Sequence, residues 1–167
     1  KSLADVALVL SQQPLEFEPG TKWQYSNTGI AALARIVEVV SGQTLEVYMA
    51  RRIFEPLGMK DTYFFPPKEK WNRMPTAYIL RDGKPEKYTS DPLGEGKMKF
   101  RDGAKYSLPE GGLYSTAADL LVLYKAILNG GRHGNFRLLS AAGLRLMQMN
   151  HTGEMRTSQP GAGWGLG

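Results

Sequence analysis

Three consecutive residues, Tyr25, Ser26 and Asn27, are the best candidates for chemistry in this sequence. A tyrosine hydroxyl can exchange a proton with a reacting group, and an asparagine amide can both donate and accept hydrogen bonds. The tripeptide stands directly before an amphipathic segment, where a helix N-terminus and nearby positive groups would stabilise a phenolate. Taken alone it leaves a structural alternative open, in which Asn27 caps the helix and Tyr25 packs.

The segment after the tripeptide is predicted to form a helix from Gly29 to Ser41. Its apolar residues form one stripe: Ile30, Leu33, Ile36, Val37 and Val40. Arg35 and Glu38 are expected to face outward. Gly42 ends the helix, because glycine readily takes the left-handed conformation.

A second helix is predicted from a Thr44 cap to about Phe54, before Pro56 and Gly58. Its inward residues are Leu45, Tyr48, Met49 and Ile53. Because the connecting turn is short, the two helices are expected to be antiparallel neighbours.

Shorter elements flank this pair. Residues 1–13 fit a short helix that Pro14 ends, with Leu3, Val6, Ala7 and Leu10 on one face, and a turn follows at Pro19-Gly20. Further on, Thr76–Leu80 and Glu86–Ser90 are predicted to form a hairpin that turns at Asp82-Gly83. Residues 91–109 are expected to be an irregular, charged loop.

The last third of the chain predicts two more helices. Thr116 and Asp119 have the spacing of a capping box, and the helix should run to about Asn129 before Gly130-Gly131. Its expected buried residues are Leu120, Leu121, Tyr124, Ile127 and Leu128. Ser140 should cap a helix to about Met149, with Leu144 and Met147 inward, and Trp164 to Leu166 should begin a strand.

The composition excludes several function classes. Zero cysteines among 167 residues leave no thiolate nucleophile, thiolate metal ligand or disulfide. The only two histidines, His133 and His151, share no ligand spacing, so we expect no metal and no other cofactor. No apolar run reaches the roughly 18 residues of a membrane span. The net charge of +5 is spread without a dense basic run, which does not favour a nucleic-acid partner.

Three blocks of the sequence, in the right order, resemble the serine β-lactamase-like family, which includes class C β-lactamases, penicillin-binding DD-peptidases and family VIII esterases. The first block runs from Pro14 through PGTKWQYSNTG and SGQTLE to PLGMKDTYF; the second is GGLYSTAADLLVLYKAILNGG; the third is LLSAAGLRLMQMN with GWGLG. The resemblance implies the α+β β-lactamase/transpeptidase-like fold, with this chain as mainly its helical middle portion plus a small hairpin and sheet-edge segments.

The resemblance also implies roles for individual residues. Tyr25 matches the family tyrosine that exchanges protons with the nucleophile and the leaving group, and Asn27 matches the asparagine that contacts the amide of the substrate's acyl side chain. Ser26 stands at a position that the family varies, where a hydrogen bond within the turn is the usual role. Gly111 and Gly112 match a tight segment near the site, although packing alone would also explain them.

The sequence departs from the family pattern in two places. The family nucleophile is the serine of Ser-x-x-Lys, and none of the nine serines here has a lysine three residues later. The third family motif, Lys-Thr-Gly or His-x-Gly on a strand, should follow the GWGLG segment. His151-Thr152-Gly153 fits its letters, but it directly follows a predicted helix and is interpreted as a loop.

We therefore expect residues 1–167 to be a partial serine hydrolase domain, since neither end resembles a natural terminus. The parent would act through an acyl-enzyme on a β-lactam, amide or ester carbonyl of a small molecule or peptide. The chain alone would be inactive, and its partner would be the remainder of the parent hydrolase chain. Two alternatives remain: a non-catalytic ligand-binding module or pseudoenzyme of the same fold, and a folded remnant without function.

Overall fold

The computed structural model describes residues 2–76, 78–87, 106–155 and 163–166, and helices predominate there. The helices are α1 (Leu3–Leu10), α2 (Asn27–Ser41), α3 (Leu45–Met49), a π-helical turn (Ala50–Phe54), α4 (Glu55–Leu57), a 3-10 helix (Lys68–Arg73), α5 (Ala117–Leu128) and α6 (Ala141–Gln148). The strands form two antiparallel hairpins, β1 (Tyr78–Arg81) with β2 (Lys84–Lys87) and β3 (Arg132–His133) with β4 (Phe136–Arg137). No helix in these ranges is long and apolar enough to cross a membrane.

The helix boundaries follow from caps that the sequence encodes. Ser2 and Asp5 form a complete capping box at the start of α1. Gly42 ends α2 with φ +66°, and its N–H donates to the carbonyl of Glu38. Thr44 precedes α3 as predicted but makes no side-chain capping bond; the Glu38 carboxylate instead accepts the Leu45 N–H at 3.2 Å. Glu38, expected to face outward, therefore supports the turn between α2 and α3.

Pro56 explains why the second predicted helix is not regular. A proline within a helix donates no hydrogen bond, and its ring crowds the carbonyl four residues earlier. The preceding turn, Ala50–Phe54, widens into a π-helix before α4. Gly58 then closes the segment in the left-handed conformation, while the Met59 N–H donates to the Phe54 carbonyl at 2.8 Å.

Most buried apolar side chains in the described part of the chain belong to two clusters. One joins α1, α2 and α3 through Leu3, Ala31, Ala34, Leu45 and Phe64. The other joins the π-helical turn, α4 and α5 through Phe54, Leu57, Met59 and Ala126. Met49 packs against both clusters and so connects them.

Most of the predicted apolar stripe of α2 faces solvent instead of the core. Ala31 and Ala34 are buried, whereas Leu33, Ile36 and Val40 are 59%, 57% and 82% exposed. Alanines bring helix backbones close together, so α2 packs through its small residues, and of the predicted stripe only Val37 packs against the core. The exposed α2 face consists of Ile30, Leu33, Ile36 and Val40.

The prediction for α5 is wrong in the same way. Asp119 and Ala126 are buried, and Val122 and Leu123 pack against the core. These residues lie on the helix side opposite the one predicted to be buried. The exposed α5 face consists of Leu120, Leu121, Tyr124 and Leu128.

Other predicted elements hold with shifted boundaries. The first hairpin turns at Asp82-Gly83 as predicted, with φ of +49° and +74°. Its strands begin and end near the predicted positions, although Ala77 and residues 88–90 lie outside the described residues. Most of the predicted 91–109 loop also lies outside them. The prediction missed the β3–β4 hairpin, whose two-residue strands are too short to give a periodic signal.

The strand predicted at Trp164 to Leu166 is absent. Residues 163–166 form no ladder and instead bond to the end of α6 and the following turn. The Leu166 N–H donates to the Met147 carbonyl at 2.9 Å, and the Trp164 carbonyl accepts the His151 N–H at 2.8 Å. Its backbone partners are a helix end and a turn.

Asp119 connects the start of α5 to the segment after α4. Thr116 caps α5 by accepting the Asp119 N–H, as the spacing predicted. The Asp119 carboxylate itself accepts hydrogen bonds from the Asp61 N–H and the Thr62 hydroxyl, both at 2.8 Å. Asp119, in the first turn of α5, therefore also fixes residues 61 and 62.

The Asp61 carboxylate makes a second connection, to the 3-10 helix. One of its oxygens accepts from Arg73 at 2.7 Å and from Lys70 at 2.8 Å. The pKa of Asp61 is lowered to about 2, because these two cations donate hydrogen bonds to the ionised form and attract its charge.

This ion pair predicts a pH dependence of stability. The ionised Asp61 stabilises the folded state above the unfolded-state pKa near 3.8, and that contribution is lost as the pH falls toward 2. Asp61→Asn should therefore lower the urea midpoint at pH 7, and its difference from the native chain should shrink between pH 4 and pH 2. Glu69→Gln is the matched control, because Glu69 lies in the same 3-10 helix outside this ion pair. A pH-independent difference for Asp61→Asn would refute the assignment.

Candidate active site

Tyr25 and Asn27 lie together at the start of α2. Asn27 is the first helical residue, and Tyr25 stands two residues before it in extended chain. Both side chains are exposed, Tyr25 to 64%. Tyr25 is therefore not buried in the core, although its ring contacts a neighbouring aromatic side chain.

Ser26 performs the capping that the sequence left open for Asn27. Its backbone is extended, and its hydroxyl accepts the Gly29 N–H at 3.0 Å while sharing a hydrogen bond with the Thr28 hydroxyl at 2.8 Å. This hydrogen bond satisfies one of the N–H groups that a helix start leaves unpaired. The Asn27 amide is consequently not needed as a cap.

The loop before Tyr25 is fixed by local contacts. The Pro19-Gly20 turn forms as predicted, with Gly20 at φ +80° and the Thr21 N–H donating to the Glu18 carbonyl. The Lys22 ammonium lies 4.9 Å from the ring centroid of Phe17. These contacts set the direction in which the chain approaches the tyrosine.

Two tryptophans flank the tyrosine, one of them from the far end of the chain. Trp164 stacks on Trp23, with ring centroids 5.2 Å apart and an interplanar angle of 23°. Tyr25 meets Trp164 edge-on at 6.4 Å and 62°. Trp23 lies within the PGTKWQYSNTG segment that resembles the family, whereas no sequence pattern predicted that Trp164 joins this group.

Of the two glycines Gly111 and Gly112, the second has a packing explanation. The Gly112 N–H donates to the Leu108 carbonyl at 2.7 Å, and a Cβ on Gly112 would lie 2.7 Å from that oxygen. A side chain is therefore excluded at Gly112 whatever the segment does in a site.

His151-Thr152-Gly153 lies in a turn after α6 and on no strand, as interpreted from the sequence. The His151 ring nitrogen Nε2 is 2.6 Å from the Leu146 carbonyl, and Gly153 has a left-handed φ of +56°. Thr152 is buried and accepts the Trp164 N–H. The tripeptide thus holds the tryptophan in place.

Comparison with known proteins identifies the family of this chain. The family described as Beta-lactamase matches residues 2–167.

The chain belongs to the β-lactamase family.

Individual relatives of the β-lactamase family match most of this chain but only part of their own length. A protein of Escherichia coli O157:H7 named "Putative D-alanyl-D-alanine carboxypeptidase" is 32% identical over 168 residues, which cover 93% of this chain and 37% of that protein. The protein of the same name from Escherichia coli K12 is 31% identical over 177 residues, with the same two coverages. The chain therefore spans little more than a third of these curated relatives.

Solved structures agree with the β-lactamase/transpeptidase-like fold. A hydrolase described as having promiscuous acyltransferase activity superposes with a TM-score of 0.77 and 26% identity, covering 99% of this chain and 45% of that one. The octameric penicillin-binding protein homologue from Pyrococcus abyssi superposes with a TM-score of 0.71 and 24% identity, covering 99% and 34%. The helix-rich chain with two small hairpins has this fold.

A surface cavity of about 510 Å³ lies away from the family site residues. It is lined by residues of α1 and of the α2–α3 region, including Ser2, Arg35 and Glu46, and by neither Tyr25 nor Asn27. Within the described ranges no group of three or more His, Cys, Asp or Glu side chains is arranged to hold a metal ion. The candidate active site of this family member is thus the exposed start of α2.

Proposed function

We propose that this chain supplies one wall of the active site of a serine hydrolase that acts through an acyl-enzyme on β-lactam, peptide or ester carbonyls. The observation that carries the proposal is the presentation of Tyr25 and Asn27, both exposed, at the capped start of α2 in a member of the β-lactamase family. Residues 1–167 then represent a partial hydrolase domain.

Tyr25 is proposed to move protons. A phenolate near the nucleophilic serine would accept its proton during attack on the carbonyl, and the phenol would return it to the leaving group. The 64% exposure of Tyr25 leaves its hydroxyl free to meet a substrate.

Asn27 is proposed to bind the substrate. Its amide has donors and an acceptor that can pair with an amide in the acyl side chain of a substrate. Because the Ser26 hydroxyl caps α2, Asn27 can make this contact without loss of a helix cap.

The remainder of the parent hydrolase chain is the proposed partner. It would bring the serine nucleophile that the 167 residues lack and would cover the exposed α2 and α5 faces. Contiguous apolar surface of this kind marks an interface. The 37% coverage of the curated relatives is consistent with a larger domain around these helices.

The roles of Tyr25 and Asn27 can be separated kinetically in a family-length hydrolase that contains these residues. Tyr25→Phe keeps the ring and removes the hydroxyl, so kcat should fall by about 100-fold to 10,000-fold with little change in KM. Asn27→Ala should reduce kcat/KM by roughly twofold to tenfold on an amide-bearing β-lactam, the worth of one hydrogen bond. On a short p-nitrophenyl ester it should have almost no effect.

Tyr78→Phe is the matched control for the tyrosine, because Tyr78 is 63% exposed and lies on the β1–β2 hairpin. Full turnover of Tyr25→Phe on both substrates would show that Tyr25 is structural. Substrate binding without turnover in the native family-length protein would favour the alternative of a ligand-binding pseudoenzyme.

The 167-residue chain alone is predicted to lack serine acylation, because none of its serines has the family's partner lysine. Incubation with a fluorescent penicillin or a fluorophosphonate should leave its intact mass unchanged. An active penicillin-binding protein treated in parallel serves as the positive control. A stoichiometric adduct on any serine contradicts the prediction.

The exposed faces predict opposite effects of one double variant in two settings. Leu33→Lys with Val40→Lys should reduce dye binding and self-association of the isolated chain, because it removes exposed apolar surface. In a family-length protein it should cost about 1.5–3 kcal/mol per side chain, because both positions would be buried. Leu80→Lys on the β1–β2 hairpin is the control. Unchanged thermal stability of the family-length double variant would argue against a covered α2 face.

A further inference from the structure

The aromatic contact between Tyr25 and Trp164 connects the proposed proton-transfer residue to a distant part of the chain. Their ring centroids are 6.4 Å apart at 62°, within the range where edge-to-face pairs attract each other. Trp164 in turn stacks on Trp23, two residues before the tyrosine. One indole therefore contacts both aromatic side chains that approach α2.

The backbone of Trp164 is held from both sides. Its N–H donates to the buried Thr152 hydroxyl at 3.1 Å, and its carbonyl accepts the His151 N–H at 2.8 Å. Thr152 is itself fixed, because its hydroxyl and its N–H both donate to the Asn150 side chain. The indole thus projects from a firmly bonded turn.

The glycines on either side of Trp164 allow the chain to lie close to the C-terminal end of α6 and the turn after it. A Cβ on Gly165 would lie 2.3 Å from the Met147 carbonyl oxygen, and a Cβ on Gly163 would lie 2.2 Å from the Asn150 side chain. Real Cβ atoms do not come so close to a backbone oxygen, so only glycine fits at Gly165, whereas a side chain at Gly163 would displace the Asn150 side chain. The Gly-Trp-Gly pattern therefore docks the tryptophan against the C-terminal end of α6.

Tyr25 has few other constraints. It precedes α2 in extended chain, it is 64% exposed, and no hydrogen bond of its hydroxyl is found among the described residues. Its ring can rotate about two side-chain torsions unless a neighbour restricts it. The indole edge contact is the restriction that the structure provides.

We infer that Trp164 is a positioning residue for Tyr25, which fixes the phenol ring in the orientation needed for proton transfer. The inference rests on the proposed function, because it gives Trp164 a role only if Tyr25 moves protons. It assigns Trp164 no contact with substrate. A displacement of about 1 Å at a reacting group can cost on the order of 100-fold in rate, so a loosened ring would lower kcat.

The positioning itself is tested in the 167-residue chain with ¹³C-labelled tyrosine. Trp164→Ala should shift the Tyr25 ring resonances, since the ring current of the indole is lost, and should increase the mobility of the ring. The α2 amide resonances should stay in place. Trp164→Phe should retain most of the ring order, and Trp71→Phe is the matched control because Trp71 lies in the 3-10 helix with its indole N–H on the Pro66 carbonyl.

The consequence for turnover is tested in a family-length hydrolase. Trp164→Ala should lower kcat on the order of tenfold with KM little changed, and Trp164→Phe should restore most of it. In a Tyr25→Phe background the Trp164→Ala change should cause no further loss, because its effect passes through the missing hydroxyl. A purely structural tryptophan would reduce activity in both backgrounds.

The outcomes separate the two proposals. Full turnover of Tyr25→Phe overturns the proposed role of Tyr25, and with it the need for positioning. Loss of turnover in Tyr25→Phe, with Tyr25 resonances and kcat unchanged in Trp164→Ala, overturns the positioning role alone. If Trp164→Ala unfolds the chain, as judged by circular dichroism, Trp164→Leu keeps an apolar side chain without a ring and is judged by the same resonances and rates.

Discussion

The packing of α2 through its small residues governs the arrangement of the candidate site. Ala31 and Ala34 bring this helix close to α1 and α3, and that contact fixes the rotation of the helix about its axis. With the rotation fixed, the first helical turn presents Asn27 outward, and the preceding chain presents Tyr25 beside it. The same rotation turns Leu33 and the rest of the α2 face away from the core.

In addition to the apolar packing, a hydrogen-bonding side chain fixes each end of α2. The Ser26 hydroxyl caps the helix start, and the Glu38 carboxylate holds the turn into α3 through the Leu45 N–H. The buried Asp119 carboxylate does the same for α5 and residues 61–62. The Ser26 bond is exposed, whereas those of Glu38 and Asp119 are half-buried or buried. Buried hydrogen bonds are costly to leave unmade, so the Glu38 and Asp119 carboxylates fix the loops that they join.

Local signals were sufficient for the helices, because caps, glycine stops and turn residues act within a few positions, whereas the roles of Tyr25 and Asn27 stay a prediction. Gly42, Gly58 and the Asp82-Gly83 turn were all predicted, and the structure confirms them. Local signals did not predict which side of each helix is buried. The most apolar stripe of α2 or α5 would normally face the core, but here α2 buries Ala31 and Ala34, α5 buries Asp119 and Ala126, and each helix leaves a stripe of large apolar residues exposed. Apolar residues in a sequence identify a surface that is expected to be buried. They do not identify the element that buries it.

The contact between Trp164 and Tyr25 was not predicted, for a related reason. A tryptophan between two glycines in extended chain resembles the start of a strand, and the period of a strand says nothing about a partner far away in sequence. What decides its place is the steric demand of Gly163 and Gly165 against Asn150 and Met147. A glycine that tolerates no Cβ indicates a close backbone approach, and two of them around one aromatic residue indicate that the residue is being placed against something. Trp164 lies against Tyr25, so the strongest candidate for chemistry takes part in the contact that the sequence predicted least.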